Sequence, residues 1–394
     1  MRIGVDASCW GNRRGFGRFT RELLSSLLAT DTRNEFVFFV DSQTGCESEF
    51  PPSAEVVLVR THASAVEAAS ASGRRSLPDL LSMSMAVLRH KIDVFFFPTV
   101  YTYFPIFNRT KIVLTIHDVI AEHHPELIFP NSRAQFFWNL KLRAATRQAD
   151  LLATVSEFSK TEIANYYNYP ASKIRIITEA ARPELKTLFR EQNGALRAKN
   201  GTSGSDRFLL YVGGISPHKN LCKLVDAFKL FRESRTSQPV QLVLVGDYED
   251  DPFYSAYPGL RKQIGEYGLE NEIIFTGYIP DDELARLYKD ALVLVFPSIE
   301  EGFGLPAIEA MACGTPVVAS RTGSLPEVVG QAGRYFDPHD SADMARVITD
   351  VVKSEGARRK MSADGIARAR QFSWERAAND TLAIFEELRS DRVL

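Results

Sequence analysis

With 394 residues the chain exceeds what one hydrophobic core ordinarily supports, so two domains of similar size are expected. Its 45% hydrophobic and 24% charged residues are those of a folded globular protein and exclude a disordered one. Lys and Arg (47) nearly balance Asp and Glu (49), and a net charge of −2 excludes general nucleic-acid binding, which needs a concentrated positive field.

The first residues, Met1-Arg2-Ile3-Gly4-Val5-Asp6, enter a strand pattern directly, and no apolar run reaches membrane-spanning length. Cys9, Cys46, Cys222 and Cys313 show no paired spacing, which fits a reducing compartment. The expectation is a cytoplasmic protein, neither secreted nor integral to a membrane.

In the first half, short apolar runs recur at 3–5, 36–40, 56–59, 94–97, 112–116, 151–155 and 174–177, separated by helix-like stretches. In the second half they recur at 208–212, 242–245, 273–276, 292–296, 316–319 and 334–336. This is βαβ alternation twice over and predicts two doubly wound α/β domains. The polar, glycine-rich stretch 191–206 predicts a mobile connection. The segment 373–388 spaces Trp374, Ala377, Leu382, Ile384 and Leu388 as an amphipathic helix that must dock on one of the domains. Ligands of such sheets bind beyond the strand carboxyl ends, so the chemistry-bearing motifs are expected there.

The first such loop is Gly11-Asn12-Arg13-Arg14-Gly15-Phe16-Gly17-Arg18-Phe19-Thr20, a glycine turn opening a helix and a candidate anion site. Gly15 and Gly17, with Asp41 ending the next strand, partly imitate a dinucleotide fingerprint. Thr20 replaces the third glycine and the turn starts about ten residues late, which argues against NAD. The run 74–91 has basic ends around an apolar stripe, with Phe104, Ile106 and Phe107 as further surface candidates. It predicts either contact with an anionic membrane surface or an ordinary packed helix.

Strand 112–116 ends in His117-Asp118, which places a titratable ring at the sheet's ligand edge, either for a sugar hydroxyl or phosphate or merely bonded to Asp118 or backbone. A metal site would have to recruit His117, His123, His124 and Glu126, whose spacing does not put three ligands on one helical face.

The second half opens with Tyr211-Val212-Gly213-Gly214-Ile215-Ser216-Pro217-His218-Lys219-Asn220. Asn220 is a candidate N-cap for the helix that follows. Lys219 stands where strand hands over to helix, so it is either a cation for a pyrophosphate or a solvated lysine. Asp247-Tyr248-Glu249-Asp250-Asp251 fits a solvated acidic loop, and Asp281-Asp282-Glu283 a helix start.

The most informative stretch is Ser298-Ile299-Glu300-Glu301-Gly302-Phe303-Gly304-Leu305-Pro306-Ala307-Ile308-Glu309. It follows a continuous apolar strand and opens a helix that Gly314 and Pro316 stop. Such a turn aims free backbone N–H groups and the positive end of a helix dipole at a ligand. Glu301 precedes the turn and Glu309 lies about one turn inside the helix, where a carboxylate can accept from vicinal sugar hydroxyls. Taken singly, the two equally fit a loop residue facing solvent and a carboxylate complementing the dipole.

Together these residues resemble the retaining glycosyltransferases of family four, which have the GT-B fold of two Rossmann-like domains. The resemblance spans nearly the whole chain. It is carried by Gly15-Phe16-Gly17-Arg18-Phe19, Thr115-Ile116-His117-Asp118, Val155-Ser156-Glu157-Phe158-Ser159-Lys160, Tyr211-Val212-Gly213 through Asn220, and Thr276-Gly277-Tyr278-Ile279. The most specific parts are the Glu301-x7-Glu309 element and Leu325-Pro326-Glu327-Val328-Val329-Gly330.

The resemblance implies domains at 1–188, joined by a returning helix at 374–394, and at 189–373, facing each other across a cleft. It implies that Glu309 binds the donor ribose and that Glu301, Gly302 and the backbone of Phe303, Gly304 and Leu305 contact transferred sugar and phosphate. Lys219 would hold the diphosphate beside Gly214 and His218, Tyr278 and Ile279 would lie near the base, and His117 would meet the donor sugar, with Gly15 and Gly17 in the first loop of the donor site. No metal or cofactor is implied, only a nucleotide-sugar substrate. Similarity to mannosyl-transferring members favours GDP-mannose and a saccharide or lipid-linked acceptor in cell-surface polysaccharide synthesis, at the inner face of the membrane. The same architecture also admits a sugar-nucleotide epimerase, a phosphorylase or a non-catalytic binding subunit.

Two departures stand out. The positions where many members carry an arginine near the diphosphate lysine hold Gly214 and His218, and the usual Asn-Gly-Val-Asp after the last N-terminal strand is replaced by Thr178-Glu179-Ala180-Ala181-Arg182.

Overall fold

The computed structural model describes residues 1–12, 14–64, 76–183, 185, 207–234, 239–248 and 255–390. The connection expected at 191–206 lies outside them. The chain divides into two compact units, Met1–Glu179 with Ser373–Leu394, and Ala180–Phe372.

The first unit is built on a seven-stranded, wholly parallel sheet: β1 (Arg2–Asp6), β2 (Glu35–Asp41), β3 (Glu55–Val59), β4 (Val94–Phe97), β5 (Lys111–Thr115), β6 (Leu151–Thr154) and β7 (Ile174–Ile176). Their order is β3-β2-β1-β4-β5-β6-β7. The central strands are apolar without alternation because helices cover both faces, and β4 is buried at every residue. Helices α1 (Gly15–Thr30), α2 (Leu77–Leu88), α3 (Ser132–Gln148) and α4 (Glu157–Tyr167) flank this sheet. Phe104 and Ile106, expected near the surface, are buried instead. Phe104 packs its ring against Phe95 and Phe97 and only Phe107 remains exposed, because the loop after β4 folds back over the sheet.

The second unit repeats the plan with six parallel strands: β8 (Phe208–Val212), β9 (Gln241–Val245), β10 (Ile273–Gly277), β11 (Val293–Phe296), β12 (Val317–Ser320) and β13 (Arg334–Phe336). They are ordered β10-β9-β8-β11-β12-β13. Its helices include α5 (Leu221–Glu233), α6 (Tyr257–Tyr267), α7 (Asp281–Asp290), α8 (Leu305–Ala312), α9 (Ser341–Lys353) and α10 (Glu355–Ala369).

The boundary between the units falls after Glu179, ahead of the expected 188. Arg182, just past it, is anchored by its side chain on Asp281 and Glu309 of the same second unit. Beyond Phe372 the chain returns to the first unit as α11 (Trp374–Ser390). Trp374 meets the edge of Phe19 on α1, and Phe385 meets Phe96 of β4. Arg175 on β7 holds Glu387 through Nε at 3.0 Å. The buried stripe of α11 runs through Trp374, Ala377, Thr381, Ile384, Phe385 and Leu388, and Leu382 lies at its margin.

Candidate active site

Strand order reverses between β1 and β4 in the first sheet and between β8 and β11 in the second. Such reversals splay the connections apart and open a crevice at the strand carboxyl ends.

In the second unit, β8 runs out into Gly213, Gly214 and the short helical turn Pro217–Lys219, while β11 runs out into Pro297, Ser298 and Glu301. The two loops are tied by the Ile299 amide, which donates to the His218 carbonyl at 2.9 Å. Asn220 ties them further. Its backbone sits in the left-handed region (φ 62°), and its side-chain amide donates to the carbonyls of Pro297 (3.0 Å) and Pro338 (2.8 Å). Asn220 is the N-cap residue of α5, as the sequence suggested, and its side chain ties these loops instead of accepting from a helix amide.

This strapping brings Lys219 and Glu301 together. Lys219 Nζ donates to Glu301 Oε1 at 2.6 Å, and the Ser298 hydroxyl donates to the same oxygen at 2.6 Å. Glu301 is 8% exposed, so neither a solvent-facing loop glutamate nor a freely solvated lysine describes the pair. Gly214 accepts from the Tyr211 hydroxyl at 2.7 Å through its carbonyl.

The turn 302–304 needs a glycine at its last position. Gly304 opens α8 at φ +96°, and a Cβ there would lie 2.6 Å from Leu325 Cδ2. The amides of Phe303, Gly304 and Leu305 donate to no acceptor among the described residues. They form a compact donor set at a helix start, the arrangement that binds phosphate oxygens. Phe303 itself is buried against the edge of Phe372.

Glu309 has separate partners. It is completely buried on α8, where Oε1 accepts from Arg182 Nε at 3.2 Å and Oε2 from the Tyr288 hydroxyl at 3.1 Å. A surface carboxylate complementing the dipole is therefore excluded. Cys313, one turn on, has its thiol pushed up to about 12, first by burial and then by the Glu309 carboxylate. Tyr278 is exposed and Ile279 half-buried in the turn between β10 and α7.

In the first unit, His117 follows β5. Its Nε2 donates to the Pro98 carbonyl at the end of β4 at 3.1 Å, its Nδ1 lies 3.6 Å from Glu179 Oε1, and Phe19 meets the ring edge-on. His123 and His124 do not join it, since they pair with Glu162 and Glu126. Gly15 is exposed at the first position of α1. A Cβ on Gly17 would lie 2.1 Å from the Asn12 carbonyl oxygen, so this glycine lets the helix pack against its own loop.

Arg182, Tyr288, Ser298 and Glu179 were not assigned roles from sequence. A lone arginine between Ala180-Ala181 and Pro183 was the available signal, because small neighbours allow a charged side chain to be enclosed.

Two parallel α/β sheets, each with one reversal of strand order, are the GT-B fold. Residues 13–183 match the model for Glycosyltransferase Family 4 and residues 192–368 that for Glycosyl transferases group 1. The chain is similar to the O-antigen chain mannosyltransferase B of Escherichia coli, at 35% identity over 281 residues, 71% of each chain. It belongs to glycosyltransferase family 4. In fold it is similar to sucrose-phosphate synthase from Thermosynechococcus elongatus (TM-score 0.74, 20% identity, 99% of this chain and 100% of that one). It is also similar to HepE of Anabaena in complex with UDP and glucose (TM-score 0.68, 21% identity, 98% and 99% covered).

Proposed function

We propose that this glycosyltransferase moves a sugar from a nucleoside diphosphate to an acceptor hydroxyl with retention of configuration and without a metal, mannose from GDP-mannose being the favoured donor. The observation that carries this is the Lys219–Glu301 pair beside the open amides of Phe303, Gly304 and Leu305, at the carboxyl ends of β8 and β11. Lys219 and the amides stabilise the departing diphosphate as its charge develops. Glu301 shares its Oε1 between Lys219 and Ser298, which supports a role in holding the transferred sugar and the lysine rather than in attacking the anomeric carbon. Attack from the face the diphosphate leaves, with a phosphate oxygen taking the acceptor's proton, fits that arrangement better than the double displacement of retaining hydrolases. Glu309 binds ribose, Tyr278 and Ile279 border the base, Gly214 and His218 line the diphosphate, and His117 meets the donor sugar.

The mannose assignment is supported by the mannosyltransferase named above, and with it a saccharide or lipid-linked saccharide acceptor for surface polysaccharide. Contact with an anionic membrane is supported by α2. Leu77, Leu81, Met85 and Leu88 stay exposed on one stripe while Met83 and Val87 enter the core, and Arg89 and Lys91 lie exposed at its end. Arg74 and Arg75 lie outside the described residues.

The test is GDP release from GDP-mannose with a lipid-linked acceptor, followed by NMR assignment of the product's anomeric centre. An α-linked product supports the proposal, a β-linked one overturns retention, and a lack of turnover with every nucleotide sugar overturns transfer.

A further inference from the structure

We propose that Arg182 is a specificity-determining residue of the nucleotide site, orienting Glu309 and donating to the ribose itself. This rests on the assignment of Glu309 to the ribose.

Three observations carry it. Arg182 is 5% exposed, so its guanidinium is enclosed by protein. Two of its nitrogens are anchored at opposite ends, Nε on Glu309 of α8 and a terminal nitrogen on Asp281 at the start of α7. The remaining terminal nitrogen is buried and finds no acceptor among the described residues. A guanidinium carries five donors in a fixed plane, and a buried one normally fills them.

The anchors locate the guanidinium chemically. Asp281 follows the Tyr278-Ile279-Pro280 turn assigned to the base, and Glu309 is the carboxylate assigned to the ribose. Arg182 thus joins the two elements that would flank a nucleoside. A ribose hydroxyl is both donor and acceptor. It can give its proton to Glu309 and receive one from the unfilled nitrogen of Arg182, which neither a carboxylate alone nor a 2′-deoxyribose could match. The same residue explains how a fully buried Glu309 keeps a fixed direction: Nε and the Tyr288 hydroxyl hold one oxygen each.

The experiment measures dissociation constants of GDP, 2′-deoxy-GDP and 3′-deoxy-GDP, with the UDP set alongside, for wild type, Arg182→Gln, Arg182→Lys and Asp281→Asn. Wild type is expected to prefer the ribonucleotide over at least one deoxy form by roughly tenfold to a hundredfold, the range of a hydrogen bond to a charged group. Arg182→Gln and Arg182→Lys should bring that ratio close to one, the lysine keeping the charge but not the fork. Asp281 is 59% exposed in its side chain, so Asp281→Asn should fold even if the arginine variants do not, and should lower the ratio severalfold by releasing the outer anchor. A ratio unchanged in folded variants, or equal losses for ribo and deoxy forms, overturns the proposal while leaving the site assignment standing. If no nucleoside diphosphate binds wild type, the donor-site assignment falls, and this proposal with it.

Discussion

Replacing Lys219 by alanine separates a structural from a catalytic role. The Lys219 and Glu301 side chains are 19% and 10% exposed and meet at 2.6 Å, so removing the ammonium leaves an enclosed carboxylate with Ser298. Breaking a fully buried pair costs about 3–5 kcal/mol; partial exposure of the lysine and the surviving serine bond reduce this to about 2–3 kcal/mol here. For a unit of this size that is a fall in Tm of about 5–10 °C, readable by calorimetry. The catalytic loss is separate and larger: a donor aimed at developing charge is worth about 100- to 1000-fold in kcat. Transfer should therefore be assayed at 15–20 °C, below the transition by about 20 °C or more, with Lys219→Arg as the variant that keeps the charge. A Lys219→Ala protein that is destabilised as expected but turns over within about threefold of wild type would show that Lys219 serves only to neutralise Glu301.

Gly304→Ala should cost about 1–2 kcal/mol from its φ of +96° alone, more from the overlap with Leu325, and should weaken nucleoside diphosphate binding in a titration because the turn amides shift. Burial raises the Glu122 carboxyl above its usual range, against hydrogen bonds from Tyr167 and Trp138 that lower it. A folded pKa above the unfolded one means the ionised carboxylate destabilises the fold at high pH, and this penalty disappears as pH falls toward the unfolded pKa. Glu122→Gln should thus raise Tm at pH 8, with the gain shrinking toward pH 4.5; a gain independent of pH would contradict this. Cys313, its thiol pushed up to about 12, should resist iodoacetamide at pH 8 until the chain unfolds, as mapped by mass spectrometry.

The strands were legible because a parallel strand covered on both faces is a continuous apolar run, and Val94-Phe95-Phe96-Phe97 or Val293-Leu294-Val295-Phe296 needs no partner to be recognised. The Glu301 turn was legible because the glycines announce its backbone. Side-chain partnerships between distant segments were not. Arg182 reaches Glu309 across 127 positions, and no periodicity marks an arginine as the companion of a particular glutamate. Asn220 stands at the helix start as its position indicates, but its left-handed backbone turns the side-chain amide toward carbonyls of two other loops, and no local pattern announces that. Phe104 and Ile106 misled because an apolar residue in a loop looks the same in sequence whether the loop lies on the surface or folds over the sheet.

The measurement that tests the account most directly is thermal stabilisation by GDP, UDP, dTDP, ADP and NAD at equal concentration. Ligand at about 100 times its dissociation constant adds about 2.7 kcal/mol of stability, enough to rank the bases without knowing the acceptor. One nucleoside diphosphate should raise Tm, and Gly304→Ala should lose most of that rise. Stabilisation by NAD alone, or by no nucleotide, would contradict a nucleotide-sugar site at the carboxyl ends of β8 and β11.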